Sequence, residues 1–285
     1  MDSFDYSTAF SRNIGWLTGD EQQLLRRKRV AIAGLGGVGG SHLLSLTRLG
    51  IGSFNVSDLD IFELANFNRQ AGASLKTIGQ PKTDTLAAMA LRINPELDIQ
   101  EFGQGVNAGN VDKFLHDVDV YVDGLDYFAV DARRLVFAAC DERNIPAVTA
   151  APLGMGAAVI NFLPGKMTFE DYFRLEGHSE IDQLIRFLVG LSPAMLQRAY
   201  LVDKSQVDLI NHKGPSTPMA CEICAGMAAT QVLKILTGRG QTLSAPWGQQ
   251  FDSFRNRYVK TWRPGGNRNP LQQIAIKIAK SILRL

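Results

Sequence analysis

The chain has 285 residues, 45% of them hydrophobic, so it can bury a large core as one big domain or as one domain plus appendages. Its net charge of +2 gives no case for a nucleic-acid partner. No apolar run reaches the ~18 residues that span a bilayer, and three cysteines (Cys140, Cys221, Cys224) argue for a reducing cytoplasm over a disulfide scaffold.

Residues 1–29 read as an arm and then a helix from Thr18 to Lys28. Its opening stretch, MDSFDYSTAF, is acidic and polar, unlike a signal peptide. Asp20 or Thr18 caps the helix, and Leu24 and Leu25 face inward. The run Arg26-Arg27-Lys28-Arg29 reads as a solvated helix end, where cations suit the dipole. Next comes VAIAGLGGVGG, Val30 to Gly40. A short apolar run meets glycines at 34, 36, 37, 39 and 40, and Leu43, Leu44, Leu46 and Leu49 then recur at helical spacing. A strand, a tight turn and a helix in that order can hold a phosphate. Glycine lets the backbone approach an anion closely, and the helix start offers free N–H groups. Alone the motif is weak, because glycine-rich turns occur in many α/β proteins.

Ile51 to Ser57 reads as a second strand, ending at Asp58-Leu59-Asp60. An acid about 20 residues beyond such a turn sits where Rossmann-type folds bind ribose hydroxyls. A dehydrogenase would satisfy everything to this point. The next stretch does not suit one. Asn66, Arg69 and Lys82 would gather an amide and two cations beside the phosphates, and hydride transfer has no use for them. A triphosphate attacked at its α-phosphorus does need them, because charge on its oxygens must be stabilised as the bond breaks. The run GLGGVGG, D-x-D at 58–60, N-x-x-R-Q at 66–70 and G-x-x-K at 79–82 resembles the adenylyltransferases of the ubiquitin-activating-enzyme superfamily (ThiF/MoeB/HesA type).

That resemblance implies an α/β, Rossmann-like fold with a mainly parallel sheet, helices on both faces and further strands extending it. It implies ATP and Mg2+. It assigns Gly34, Gly36, Gly37 and Gly39 to the phosphate turn, Asp58 to the ribose hydroxyls with Asp60 beside it, and Asn66, Arg69 and Lys82 to the phosphates. The fragment Phe10-Ser11-Arg12-Asn13 looks like the family's N-terminal R-Y-x-R-Q segment. Through it the resemblance implies a homodimer in which Arg12 reaches the triphosphate of the neighbouring subunit.

Further along, Thr83 to Ile93 reads as a helix, Leu97 to Phe102 as a strand and Asn110 to Leu115 as a short helix. Val118 to Val122 is a buried strand ending at Asp123-Gly124-Leu125-Asp126. Ligands of open α/β sheets sit outside such strand ends. Asp126 resembles the family's magnesium-binding Asp, a role that suits a hard cation; Tyr127 stands where the family usually has Asn. Asp123 is the alternative ligand, its plain reading a strand-end cap. Asp131 to Arg143 is a helix with Cys140 as a buried small apolar residue. Pro146 to Thr149 reads as a strand, 150–156 as a loop and Ala157 to Leu163 as another strand.

Residues 166–213 depart from the family, which often has an acyl-accepting Cys near here; this chain has no cysteine from 141 to 220. The stretch reads as helices (Thr168 to Arg174, Ile181 to Val189, Pro193 to Tyr200) forming a lid or partner surface, with His178 and His212 at the surface. Met219 to Leu236 is a long helix. Cys221 and Cys224 read as small residues in its packing seam. A reactive thiol pair is the alternative, and zinc is disfavoured because a single C-x-x-C supplies only two of four thiolates. Phe251 to Trp262 reads as a strand pair. Pro270 to Leu285 is an amphipathic helix, with Leu271, Ile274, Ile278, Ile282 and Leu285 on one face and Gln273, Lys277, Lys280 and Arg284 opposite. Docking of the apolar face on its own domain or a dimer mate is preferred over contact with a membrane surface.

The expected organisation is an arm and helix (1–29), an adenylation core (30–165), a helical insert (166–213), the rest of the adenylation domain (214–262) and a tail helix (263–285). The expected reaction is ATP-dependent adenylation of a carboxylate with release of pyrophosphate, carried by Arg69, Lys82, Asp126 and Arg12. The acceptor is the C-terminus of a small ubiquitin-like or sulfur-carrier protein, or a peptide. The rivals are a NAD(P)-dependent oxidoreductase and a catalytically idle, partner-binding member of the same fold.

Overall fold

Among the described residues eight strands build one sheet: β1 (Arg29–Ala33), β2 (Ser53–Ser57), β3 (Asp98–Phe102), β4 (Val120–Asp123), β5 (Ala147–Leu153), β6 (Gly156–Phe162), β7 (Trp247–Asp252) and β8 (Arg257–Trp262). The computed structural model describes residues 4–283. In space the order is β3-β2-β1-β4-β5-β6-β7-β8. The first five in that order run parallel, and β6, β7 and β8 attach antiparallel. From β1 the chain winds outward through β2 to β3, then returns to place β4 on the other side of β1. The crevice between β1 and β4 is therefore the switch point, where α/β sheets bind ligands.

Among the described residues ten α-helices accompany the sheet: α1 (Tyr6–Ala9), α2 (Gly19–Arg26), α3 (Gly39–Leu49), α4 (Lys82–Ile93), α5 (Val111–Phe114), α6 (Val130–Glu142), α7 (Phe169–Phe173), α8 (Glu180–Leu191), α9 (Pro218–Thr237) and α10 (Pro270–Leu283). Parallel strands buried on both faces read as continuous apolar runs, and alternate residues of each strand enter opposite cores. Val30, Ile32, Val120, Val122 and Val159 pack with α3, α4 and α9 on one face. Ala31, Tyr121, Ala158, Ile160 and Phe162 pack with α6, α7, α8 and α10 on the other.

Local signals set the helix ends. Thr18 and Glu21 form a reciprocal capping box at α2. Helix α9 has Thr217 as its cap, Pro218 in its first turn and left-handed Gly238 at its end. By length and composition alone α9 could cross a membrane. In the fold it packs between α3 and strands β5 and β6, with Cys221, Cys224, Ala225, Ala228 and Val232 buried.

Several sequence expectations are corrected. The expected loop at 150–156 is mostly strand, because β5 runs on to Leu153 and pairs with β6 through a turn at Gly154 and Met155. Only a 3-10 segment, Leu196–Tyr200, stands where a helix from Pro193 was expected. The basic run before β1 is not merely solvated: Arg26 pairs with Glu96, Lys28 with Asp119 and Arg29 with Asp98. His178 pairs with Asp182 at 2.9 Å, and half-exposed His212 stacks on Phe128.

The tail helix docks by the face opposite to the expected one. Gln272 donates to the Val189 carbonyl at 3.0 Å, Lys280 pairs with Asp182 at 2.7 Å, and Ile276 is buried. Asn267, just ahead of the helix, donates to the carbonyls of Phe173 and Arg186. These amides reach carbonyls of α7 and α8, including those of Phe173 and Val189 at the helix ends, which a tally of apolar positions does not register. Leu271, Ile274, Ile278 and Ile282 consequently point outward. Arg284 and Leu285, also assigned to faces of this helix, lie outside the described residues.

Candidate nucleotide site

At the switch point three backbones touch. Gly34 has φ +84°, and its N–H donates to the Ser57 carbonyl at 2.7 Å. A Cβ on Gly39 would stand 1.7 Å from the Gly34 carbonyl oxygen, and one on Gly124 would stand 2.4 Å from it. Side chains are excluded because the start of α3 and the end of β4 both press on the turn. Gly36 and Gly37 are glycine for a different reason. Their missing side chains face Gln70 Nε2, Arg69 Nε and Cys221 Sγ, at 3.7, 3.6 and 3.3 Å from the positions a Cβ would take. The turn is open on the side where a cation waits, at the N-terminus of an eleven-residue helix.

Asp58 braces the turn. Its Oδ2 accepts the Leu35 N–H at 2.6 Å and its Oδ1 accepts the Asp60 N–H at 2.8 Å. The loop beyond folds back on itself: Phe62 and Lys82 donate their N–H groups to the carbonyls of Gln80 and Asp60. Lys82, at the start of α4, is buried with Nζ 2.9 Å from an Asp60 oxygen. Asn66 accepts the Glu63 N–H through Oδ1, leaving its Nδ2 without a partner among the described residues. Arg69 is anchored through Nη1 to the Ala65 carbonyl and to Asn68 Oδ1. Its Nε and Nη2 make no hydrogen bond among the described residues.

Asp126 lies two residues past Gly124, on the turn between β4 and α6, and is exposed. Its Oδ1 accepts the Phe128 N–H at 3.0 Å and the other oxygen has no partner among the described residues. An ion shared with phosphate oxygens needs only one or two carboxylates, so this residue fits magnesium. Asp123 does not. Its Oδ2 accepts from Arg133 Nε at 2.8 Å and from the Thr149 hydroxyl at 2.7 Å, and its Oδ1 caps the Leu125 N–H. The same Arg133 holds the carbonyls of Leu125 and Asp126 and so fixes the turn that presents Asp126.

Arg12 stands apart from this group. Its neighbour Asn13 donates to the carbonyls of Arg48 and Leu49, at the far end of α3 from the glycine turn. Eleven helical residues separate those ends by about 16 Å.

The end of the insert and the residues just after it touch both shores of the crevice. Ser216 accepts from Asn68 Nδ2 at 3.0 Å, and His212 stacks on Phe128 with ring centroids 4.5 Å apart. Cys221 and Cys224 are buried, and burial raises both thiols, which keeps them protonated. Cys140 is buried too, as expected, and is raised by the same cause. Among the described residues no group of three or more His, Cys, Asp or Glu could hold a metal ion.

Sequence reasoning missed Arg133 as the brace of the Asp126 turn; seven positions separate them, and nothing in the pattern marks the pair. It also gave no role to Gln70, whose buried Oε1 has no hydrogen-bond partner beside the glycine turn. Gln70 lies within the N-x-x-R-Q run, which was the available signal.

Sheet order, glycine turn and bracing acid together define a Rossmann-type nucleotide-binding fold. More narrowly, the chain belongs to the ThiF family, which matches residues 10–274. It is 29% identical over 164 residues to the molybdopterin-synthase adenylyltransferase of Escherichia coli, covering 57% of this chain and 65% of that protein. It is 31% identical over 150 residues to the tRNA threonylcarbamoyladenosine dehydratase of Bacillus subtilis, covering 52% of this chain and 57% of that one. The chain thus spans less than two thirds of either relative's length. The solved structure of E. coli MccB with ATP superposes with a TM-score of 0.65 at 22% identity, over 89% of this chain and 70% of that one, a likeness of fold.

Proposed function

We infer that this chain activates a carboxylate by adenylation, consuming ATP and releasing pyrophosphate. The observation that carries the reading is the placement of Arg69 at the open side of the glycine turn, with Lys82 and Asn66 in the adjoining loop and Asp126 at the neighbouring strand end. The family relatives named as adenylyltransferases support it.

The incoming carboxylate attacks the α-phosphorus and the bond to the β-phosphate breaks. The acceptor is already an anion, so no general base is needed, and the protein's work is positioning and charge stabilisation. The turn's free N–H groups and Arg69 hold phosphate oxygens. Lys82 and the Asn66 amide stabilise charge as pyrophosphate departs. Asp126 would hold a magnesium ion, which when bound neutralises phosphate charge. Asp58 keeps the turn closed and faces the ribose side with Asp60. The acceptor is a protein or peptide C-terminus, as the naming of the E. coli relative for molybdopterin synthase suggests. Residues 30–165 and 214–262 form the adenylation unit, with the insert 166–213 packed on one face of its sheet through α7 and α8 and reaching the crevice at His212.

A homodimer completes the site. Arg12 is too far along α3 to serve its own turn, so its role requires a second subunit. Pyrophosphate exchange, screened with peptides and small proteins ending in Gly-Gly, tests the reaction. Thermal stabilisation by NAD and not by ATP with magnesium would overturn it in favour of an oxidoreductase. Tight ATP binding without exchange for any carboxylate would favour the idle scaffold.

A further inference from the structure

Helix α10 rests on the body through Gln272, Ile276 and Lys280, which leaves its opposite side open. Leu271, Ile274, Ile278 and Ile282 are 60%, 55%, 48% and 55% exposed. At 3.6 residues per turn they form one stripe along three turns. Contiguous apolar surface of this kind marks an interaction site. The amide anchors fix the helix with this stripe outward, so its exposure is a property of the docked fold and not of a loose tail.

Charge decides what covers the stripe. From Ser253 to Leu285 the sequence has eight Lys and Arg and no Asp or Glu, although the whole chain carries only +2. Exposed Lys277 flanks the stripe directly. The nearest acids belong to α8, along which α10 runs antiparallel, and they are already engaged: Asp182 by Lys280, Arg186 and His178, and Glu180 by His212. Two copies meeting through this face would set like charges against each other. A bilayer with anionic headgroups offers acyl chains to the stripe and negative charge to its flank, and a basic amphipathic helix lies in such an interface.

We propose that α10 docks the chain on anionic membrane surfaces, with Leu271, Ile274, Ile278 and Ile282 inserted among the lipids and no segment crossing the bilayer. This is separate from the adenylation reading and does not depend on it.

The test is flotation of the full chain with phosphatidylcholine vesicles, with and without about 30% phosphatidylglycerol. The protein floats with the anionic vesicles only, and salt at several times physiological strength releases it. The double variant Ile274→Glu/Ile278→Glu loses about tenfold or more of that binding with an unchanged melting temperature, because both positions are exposed. Lys277→Glu, a milder change, weakens binding in the same assay. Absence of flotation with anionic vesicles, or equal flotation of parent and double variant, overturns the proposal. So does light scattering that shows a dimer lost in the double variant while the parent ignores vesicles.

Discussion

Lys82 Nζ lies 2.9 Å from an Asp60 carboxylate oxygen, with the lysine side chain 6% exposed and the aspartate 57% exposed. In the proposed reaction a triphosphate would compete with this acid for the cation. Lys82→Ala and Arg69→Ala each lower pyrophosphate exchange by about 100-fold or more, the scale of losing one preorganised donor to a developing charge. Circular dichroism spectra stay those of the parent. Exchange within threefold of the parent in both variants rejects the assignment.

Asp123 and Asp126 differ by three positions, and the proposed site gives the first a structural role and the second the metal. Asp123→Ala strands the Arg133 guanidinium, both side chains of the pair being only 3% exposed, and costs about 3–5 kcal/mol in denaturant unfolding. Asp126→Ala leaves the midpoint nearly unchanged and abolishes exchange. The reverse outcome would move the metal-binding role to Asp123.

Arg12 and Asp126 belong to different subunits' sites in the proposed dimer. Arg12→Ala and Asp126→Ala, each inactive alone, therefore regain activity when co-refolded. In a mixed dimer one site draws both functional residues from opposite chains. A mixture no more active than its components shows that Arg12 does not act across the interface.

The Rossmann half of the fold was legible because its signals are local and agree: apolar runs of strand length, helical spacing of leucines, and glycines between them. The candidate residues in the glycine turn and the 58–82 loop stood out because they arrive in one order along the chain, and the fold brings that loop against the turn. What was not legible depends on partners distant in sequence. Arg133 and Asp123 form a buried pair across a turn. Gln272 is buried against the Val189 carbonyl, which turned α10 over relative to its hydrophobic pattern. The β5–β6 hairpin was hidden because Ala150, Ala151 and Pro152 have weak strand signals, and only pairing with β6 extends the strand.

Gly36 and Gly39 are not equivalent. A methyl group on Gly39 meets the Gly34 carbonyl oxygen at 1.7 Å, so Gly39→Ala destabilises by more than about 4 kcal/mol or prevents folding. At Gly36 the nearest atom is Gln70 Nε2 at 3.7 Å, so Gly36→Ala folds, and its effect falls on the KM for ATP. Equal thermal stability of the two variants is the outcome that contradicts this geometry.

His42 sits in α3 with both ring nitrogens buried and without partners. Burial pulls its pKa down from 6.5 to about 4. Between those values the unfolded chain binds a proton that the folded chain refuses, so acid favours unfolding there. Its contribution is full above pH 6.5 and is lost as pH falls towards 4, roughly 3 kcal/mol in all. His42→Leu removes that part of the pH dependence and is neutral or stabilising at pH 5. Parallel stability curves for parent and variant over this range would show that His42 titrates normally.

Asp58, by accepting the Leu35 N–H, ties the glycine turn to the end of β2 through the protein's own contacts. On the proposed reading, ATP would meet a turn already braced, and little of its affinity would be consumed in freezing the backbone. Deuterium exchange at the Leu35 amide is slow before ligand arrives and barely slower afterwards, so nucleotide occupancy reads out elsewhere, in the segment around His212 and Ser216 that bridges the crevice.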